Sequence, residues 1–417
     1  MVSEMRFLGC SAALIALVLC ACGGSDASPV PTPAPTPALT PVVTPTPTPT
    51  ATPTPVPTPE GFVANPAVLS ENSALYGKRL YQGVPSIART GSRIWAAWMS
   101  DISLTSANPE APGNFIVLRY SDDFGLNWST ERYLVPADRR IDRALDPMLW
   151  AAPDGTLWVM YAQSGKGQIF DNQLGIWVSV VDAPASASPQ FRPGVRLTDG
   201  SPGRPFQIDG KWYLFGNYWR VPGPPVYPER AGRNLFQINV ANRSLQYMSR
   251  LPEGPYVTHD ETAAIEKRDG SVLAQWRTLE GIYQSTSLDR GMTWSQPSKF
   301  TVVQSDIARH TIVRTPRGRL MMVLNLGITV YRRTNMTILL SDDDGQTWPH
   351  RLLLDNRSDV SYPDVTFDDQ GNIYILYDHE RTIYVGSGAR EILLAKVSEA
   401  AIVSGNATVE RRIVSKP

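Results

Sequence analysis

The chain has 417 residues and a balanced charge, with 39 Lys and Arg against 39 Asp and Glu. Because no net charge draws it toward polyanions, a nucleic-acid partner is not expected. Its hydrophobic fraction of 42% is ordinary for a globular fold, and the length is ample for one large core.

The N-terminal segment predicts export. Residues 5–22 read MRFLGCSAALIALVLCAC, with one positive charge, an apolar run too short for a spanning helix, and then small residues. The final LCAC resembles a bacterial lipobox. This resemblance implies a signal peptide at 1–21, a lipid on Cys22 and a protein anchored to the bacterial cell envelope or surface by that lipid alone. Ordinary cleavage after a small residue is the alternative.

The three cysteines, Cys10, Cys20 and Cys22, all lie in this leader. The folded part therefore has no thiol for catalysis, no disulfide and no cysteine metal site. The sequence also contains no HExxH or H-x-x-x-H spacing, no G-x-S-x-G elbow and no phosphate-binding glycine loop. We expect neither a metal nor another cofactor.

A linker over residues 22–59 follows the leader. From Pro29 to Pro59 it consists almost entirely of Pro, Thr, Ala and Val. Such a tract favours polyproline II at about 3.1 Å per residue, which gives a reach on the order of 90 Å. We interpret it as a stalk that holds the folded domain away from the membrane. The alternative, a PxxP ligand for a signalling domain, does not suit an exported chain.

Residues 60–417 predict one all-β domain, expected to be a monomer. Runs such as SRIWAAWMS, GTLWVMYAQ and NIYILYDHE are rich in β-branched and aromatic residues and are bounded by Asp, Gly and Pro. Helical periodicity is confined to a short segment, SEAAIVSG.

One pattern, S-x-D-x-G-x-[TN]-W, begins at Ser121, Ser287 and Ser341. The starts are 166 and 54 residues apart, and the longer spacing is close to three of the shorter one. This periodicity predicts a worn copy at 171–177. It also divides residues 60–417 into roughly six repeats, as in a β-propeller of four-stranded blades.

The physics of this pattern is local. Gly supplies a positive φ, the Asp and Ser or Thr side chains bond the turn backbone, and the Trp packs between blades. The pattern resembles the Asp box, the signature repeat of sialidases. The resemblance implies a six-bladed propeller of the sialidase type, with these turns in structural positions at its periphery. A calcium site is the alternative, although SDDDG misses the EF-hand spacing.

The resemblance extends to candidate site residues. In sialidases a Glu is followed, one hairpin later, by an Arg, and THDETAAIEKRDGSVLAQWRT gives Glu261 and Arg277. A later Arg introduces the strand that ends in an Asp box, and RTNMTILLSDDDGQTW gives Arg333. The last blade carries a Tyr, and SYPDVTFDDQG gives Tyr362. The stretch 260–405 closely resembles bacterial BNR-repeat, sialidase-like proteins.

The roles implied by the resemblance are chemically coherent. A sialic acid bears a carboxylate at its anomeric carbon, so Tyr362 would attack as a neutral nucleophile while Glu261 accepts its proton. Arg277 and Arg333 would bind the carboxylate with their planar forks. In sialidases the general acid is an Asp in the loop after the first long strand. Asp101 is the nearest candidate and Glu110 the second.

The first blade departs from the sialidase pattern. The R-I-P motif that supplies the leading arginine of the triad is replaced by Gly83-Val84-Pro85. One carboxylate ligand is therefore missing, and Arg89 or Arg204 could substitute from another direction.

Of the four histidines, His259 and His379 are expected nearest the pocket. His310 and His350 are expected in structural positions.

The resulting expectation is an exported exo-glycosidase that releases a terminal acidic sugar from a glycan, with sialic acid first and a uronic acid next. A non-catalytic glycan-binding propeller is the alternative that the lost arginine favours. A polysaccharide lyase on the same fold is a third possibility, in which Tyr362 or a histidine would abstract a proton. Fold alone does not choose among these functions.

Overall fold

The six-bladed β-propeller predicted from the sequence is confirmed. The computed structural model describes residues 66–102, 112–164, 174–218, 232–254, 261–327, 332–382 and 386–417. Within these ranges the strands form six antiparallel sheets, which are the six blades. No helix in this part of the chain is long and apolar enough to cross a membrane.

The first three blades contain strands β1 to β14. Blade 1 comprises β1 (Val68–Ser70), α1 (Ser73–Tyr76), β2 (Tyr81–Thr90), β3 (Arg93–Asp101), β4 (Phe115–Ser121) and β5 (Arg132–Val135). Blade 2 comprises β6 (Arg143–Ala151), β7 (Leu157–Ser164), β8 (Gly175–Val181) and β9 (Val195–Asp199). Blade 3 comprises β10 (Ser201–Pro202), β11 (Phe206–Ile208), β12 (Lys211–Tyr218), β13 (Gly232–Asn239) and β14 (Ser244–Arg250).

The last three blades contain β15 to β26. Blade 4 comprises β15 (Thr262–Glu266), β16 (Val272–Thr278), β17 (Gly281–Ser287) and β18 (Ser298–Lys299). Blade 5 comprises β19 (Thr311–Arg314), β20 (Leu320–Asn325), β21 (Met336–Ser341) and β22 (His350–Asp355). Blade 6 comprises β23 (Val360–Phe367), β24 (Asn372–His379), β25 (Glu391–Ser398), α2 (Glu399–Ser404) and β26 (Glu410–Ser415).

Packing between blades explains why the middle strands are apolar on both faces. Every residue of β3 and of β7 is buried, whereas β22, at a blade edge, alternates partly exposed and exposed positions over its first four residues. Apolar clusters join each blade to the next, and one of them joins blade 6 back to blade 1. A continuous apolar run in the sequence therefore indicates a strand that is buried on both faces. The burial of apolar side chains between blades 6 and 1 closes the ring.

The three recurrent turns form the hydrogen bonds that their sequence predicts. In the last one, Ser341 Oγ donates to Asp343 Oδ1 at 2.8 Å and accepts from the Gly345 N–H at 2.7 Å. Asp343 also accepts from the Thr347 N–H at 2.8 Å. Trp348 is buried in the apolar layer between blades 4 and 5. Each turn thus links a local hairpin to the neighbouring blade.

The predicted worn copy at 171–177 is wrong for its described part. Gly175–Val181 is strand β8, whereas the three well-formed turns follow the third strand of their blades, counted from the innermost strand. Blade 4 joins its second and third strands at Thr278 and Gly281, while in blade 2 the same strands end at Ser164 and begin at Gly175. Because the connections differ in length, a constant period misplaces the repeat. Residues 171–173 lie outside the described residues.

We predict that Gly291→Ala destabilises the protein more than Gly270→Ala. Both glycines have a positive φ, +87° and +82°, so each alanine bears a left-handed cost of about 1–2 kcal/mol. An added Cβ at Gly291 would lie 2.5 Å from Leu235 Cδ2 of blade 3, whereas nothing lies within 4 Å at Gly270. Overpacking adds about 1–3 kcal/mol. Urea unfolding measures the difference, and equal losses would contradict packing of this turn against the neighbouring blade.

Candidate functional site

The innermost strands of blades 1, 2 and 6 share a bulge. In each of them a residue with positive φ directly precedes a proline: Val84 (56°), Asp146 (46°) and Tyr362 (55°). The pairing register with the next strand shifts at each of these positions. A bulge re-aims a side chain, and a backbone conformation of this kind costs on the order of 1–3 kcal/mol. The backbone at Tyr362 is therefore strained.

Tyr362 is at the centre of the candidate site. Its side chain belongs to an apolar cluster that includes Tyr81 and Val84 of blade 1 and Leu145 of blade 2. The residue is only 5% exposed. Its hydroxyl donates to Glu261 Oε1 at 2.6 Å, so the bulge of blade 6 brings the phenol to the residue that precedes blade 4.

Arg277 contacts both Tyr362 and Glu261. Arg277 donates to the Tyr362 hydroxyl at 3.0 Å, and its Nε lies 3.0 Å from Glu261 Oε2. Burial raises the pKa of Tyr362, while the Arg277 charge acts to lower it. The phenol is consequently held neutral, with its proton directed at a carboxylate that is ready to receive it.

Four guanidinium groups surround the ring of Tyr362. The distances from the guanidinium carbon to the ring centroid are 3.9 Å for Arg381, 4.7 Å for Arg309, 5.3 Å for Arg333 and 5.8 Å for Arg277. A cation at such a distance over a ring face is attracted by its electrons. The cluster also concentrates positive charge at one point, which suits an anionic ligand.

Two of the four arginines are paired with carboxylates. Arg277 is paired with Glu261, and the NH2 group of Arg381 lies 2.9 Å from Asp378 Oδ2. Asp378 is fully buried, so its charge is compensated by this ion pair and by the hydrogen bonds around it.

The other two arginines, Arg309 and Arg333, form no ion pair with a carboxylate of the described residues. Arg309 donates to the Pro85 carbonyl at 3.1 Å, and Arg333 donates to Ser361 Oγ at 3.3 Å. Burial lowers the pKa of Arg333, and the neighbouring arginine charges lower it further. A partly buried cation of this kind is stabilised by an incoming anion.

The structure brings together three of the candidate residues, Glu261, Arg277 and Tyr362, and it places Arg333 over the ring of Tyr362. Asp101 ends β3 and is 1% exposed, and its Oδ2 accepts a hydrogen bond from Asn114 Nδ2 at 3.0 Å. The second general-acid candidate, Glu110, lies outside the described residues, as does the lipidation candidate, Cys22.

The two arginines considered as substitutes have other partners. Arg89 is paired with the exposed carboxylate of Asp369 at 2.7 Å. Arg204 is paired with Asp364 and donates to the Val365 carbonyl at 2.8 Å. Neither guanidinium is among those found over the ring of Tyr362 in the described structure.

The histidines have different surroundings, and among those described only His310, expected in a structural position, is found beside Glu261. His379 Nδ1 lies 2.9 Å from Glu391 Oε2, and His350 Nε2 lies 2.9 Å from Asp342 Oδ2. His310 lines a cavity of about 30 Å³ together with Glu261, and burial lowers its pKa to about 4. His259 lies outside the described residues.

Sequence reasoning missed Arg309, Arg381 and Asp378. Arg381 and Asp378 both belong to the segment YDHER, in which Asp378 is near the end of β24 and Arg381 follows that strand. Arg309 precedes His310 in the connection to β19. A search for every arginine just before an innermost strand would have included Arg309. In the described part of the chain, no group of three or more His, Cys, Asp or Glu side chains is placed to hold a metal.

Comparisons with known proteins agree with this architecture. Residues 257–375 match the BNR repeat-like domain family. A search of curated protein sequences finds no match.

Solved structures share the fold at low sequence identity. A protein of unknown function from Dyadobacter fermentans has a TM-score of 0.55 and 16% identity, over 76% of this chain and 94% of that one. A Hadza microbial sialidase has a TM-score of 0.56 and 18% identity, over 72% of this chain and 64% of that one. A leech intramolecular trans-sialidase, complexed with 2,7-anhydro-Neu5Ac, has a TM-score of 0.59 and 11% identity, over 83% and 71%.

At these sequence identities the solved structures support the fold alone. The family match covers the segment that contains Glu261, Arg277, Arg333 and Tyr362. The chain is thus a six-bladed β-propeller that contains a BNR repeat-like segment and shares its fold with solved sialidase structures.

Proposed function

We propose that this protein is an exported exo-glycosidase that releases a terminal acidic sugar, with sialic acid the first candidate. The observation that carries the proposal is the 2.6 Å hydrogen bond from the buried Tyr362 hydroxyl to Glu261, set among four guanidinium groups. The ligand of the leech neighbour, 2,7-anhydro-Neu5Ac, supports the choice of sugar.

The chemistry follows from the charge of the substrate. A carboxylate on the anomeric carbon repels an anionic nucleophile, so a neutral phenol is the suitable attacking group. As the Tyr362 oxygen bonds to the anomeric carbon, its proton passes to Glu261, the glycosidic C–O bond breaks and the leaving oxygen takes a proton from Asp101. Water then attacks the tyrosyl-linked sugar and gives a proton to the Asp101 carboxylate, while Glu261 returns its proton to the departing tyrosine oxygen. Arg277 and Arg333 bind the sugar carboxylate.

The leaving oxygen needs a proton, and Asp101 is our candidate donor. It ends β3, two positions beyond Met99, which pairs with Gly83 and lies in the same apolar cluster as Tyr362. As a general acid it would give its proton to the leaving oxygen.

A non-catalytic glycan-binding propeller is the second candidate. The observation that favours it is Gly83, which presents no side chain where the resemblance expects an arginine. Such a protein would bind the acidic sugar without turnover. A lyase would be recognised by an unsaturated product that absorbs in the ultraviolet.

We expect Tyr362→Phe to abolish release of 4-methylumbelliferone from its sialic acid conjugate, because the ring remains while the nucleophilic oxygen is lost. The matched control is Tyr377→Phe. This change also removes a buried hydroxyl from blade 6, one that donates to Asp355 at 3.0 Å, and it should leave turnover within a few-fold of wild type. Equal losses in both variants would contradict the assigned role. Wild-type protein that binds acidic sugars but cleaves neither sialoside nor uronide conjugates would favour the binding function.

We expect Asp101→Asn to lower kcat/KM about 10²–10⁴-fold on 3′-sialyllactose and far less on the methylumbelliferyl conjugate, whose leaving group departs without protonation. The asparagine keeps an acceptor for Asn114. Steady-state kinetics on the two substrates measure the ratio. Equal effects on both substrates would count against Asp101 as the general acid.

We also propose that the domain is held at the bacterial envelope by a lipid on Cys22, with residues 22–59 as the spacer. Cys22→Ser should abolish incorporation of radiolabelled palmitate and release the protein from membranes, because the acylated sulfur is gone. Cys20→Ser, two residues away, is the matched control and should retain both properties. Retention of the label in Cys22→Ser would contradict the anchor.

A further inference from the structure

Gly83 lacks a side chain, but the space beside it is filled. An added Cβ at Gly83 would lie 2.8 Å from Cδ, 2.9 Å from Cγ and 2.9 Å from Nε of Arg381. Real Cβ atoms do not approach other atoms so closely. The side chain of Arg381 therefore occupies the volume in which a side chain at position 83 would begin.

The backbone places Arg381 directly beside β2. The Gln82 N–H donates to the Arg381 carbonyl at 3.0 Å, and Tyr81 forms an isolated bridge with Thr382. The segment after β24 thus runs antiparallel to the start of β2 across the junction of blades 6 and 1. A side chain from either segment can reach the same part of the site.

One buried carboxylate orients Arg381. Asp378 Oδ2 accepts from Arg381 Nε at 3.0 Å and from the Val84 N–H at 2.8 Å, while Asp378 Oδ1 accepts from Ser361 Oγ at 2.6 Å. The guanidinium is tied both to the bulge of blade 1 and to the residue before Tyr362. It is a fixed group of the site, held 3.9 Å from the centre of the Tyr362 ring.

We infer that Arg381 is a carboxylate-binding arginine that replaces the one missing from β2, and that Gly83 is required to admit it. With Arg277 and Arg333 it gives three guanidinium groups around the Tyr362 ring, from the segments of blades 4, 5 and 6. The inference rests on the proposed function only in taking an acidic sugar as the ligand.

The test measures binding of N-acetylneuraminic acid by titration calorimetry, with its methyl ester as the uncharged probe and glucuronic acid as a second acid. Arg381→Ala and Arg381→Lys should weaken binding of the acid about 10–100-fold and change binding of the ester little, because only the acid offers a carboxylate to the guanidinium fork. The lysine variant retains a cation beside Asp378, which guards against loss of folding. Arg89→Ala, which removes a partly buried arginine paired with the exposed Asp369, should bind as wild type does.

A swap distinguishes a functional role from a structural one. Gly83→Ala should weaken binding of the acid because its Cβ displaces Arg381, and Gly83→Arg in an Arg381→Gly background should bind at least ten-fold more tightly than Arg381→Gly alone. Such non-additivity is expected of two residues that share one space.

The inference is overturned if both Arg381 variants bind the acid as wild type does, if the swap restores nothing, or if wild type binds neither acid. If these binding changes are observed but no sugar is released, the proposed catalysis is contradicted, whereas the carboxylate-binding role of Arg381 is supported.

Discussion

The site depends on a backbone conformation that tyrosine rarely adopts. Tyr362 has a φ of 55° directly before a proline, and this bulge points the phenol at Glu261, 101 positions earlier in the chain. A matching bulge at Val84 lies across the junction of blades 6 and 1, and Asp378 binds both, through the Val84 N–H and Ser361 Oγ. The free energy stored in two strained residues is offset by hydrogen bonds to one fully buried carboxylate.

The electrostatics of the site follow from what surrounds this phenol. Glu261 is shared between Tyr362 and Arg277, and Asp378 compensates Arg381. Among the described residues, the guanidinium groups of Arg309 and Arg333 instead donate to the neutral oxygens of Pro85 and Ser361. Like charges at short range destabilise one another when solvent is scarce. An anionic ligand would lower that cost, as the proposed binding of a sugar carboxylate requires.

Features that depend on local chemistry could be predicted from the sequence. The turn at Ser341 is specified within eight residues, and the apolar runs of the middle strands reflect burial on both faces. The order of Glu261, Arg277, Arg333 and Tyr362 along the chain pointed to one site by resemblance, and the structure brings these residues close to one another.

The other features of the site could not be predicted from the sequence, because they depend on contacts between residues that are far apart in the chain. Arg381 reaches the site through the closure of the ring, which no sequence spacing encodes, and Arg309 reaches it from an irregular connection. The misplaced repeat in blade 2 has the same origin. Connections between strands vary in length, so a period measured in blades 4 and 5 does not transfer around the ring.

In the proposed site, Arg381 supplies the positive charge that the resemblance places at the position of Gly83. Antiparallel contact across the blade 6 and blade 1 junction, at Gln82 and Arg381, makes the two segments equivalent routes to one point beside Tyr362. An arginine can occupy that point from either route, but two side chains cannot share it. The glycine in β2 is then the counterpart of the arginine after β24, and its lack of a side chain is a condition for binding an anion there. The proposed binding requires a positive charge at this point, whichever strand supplies it.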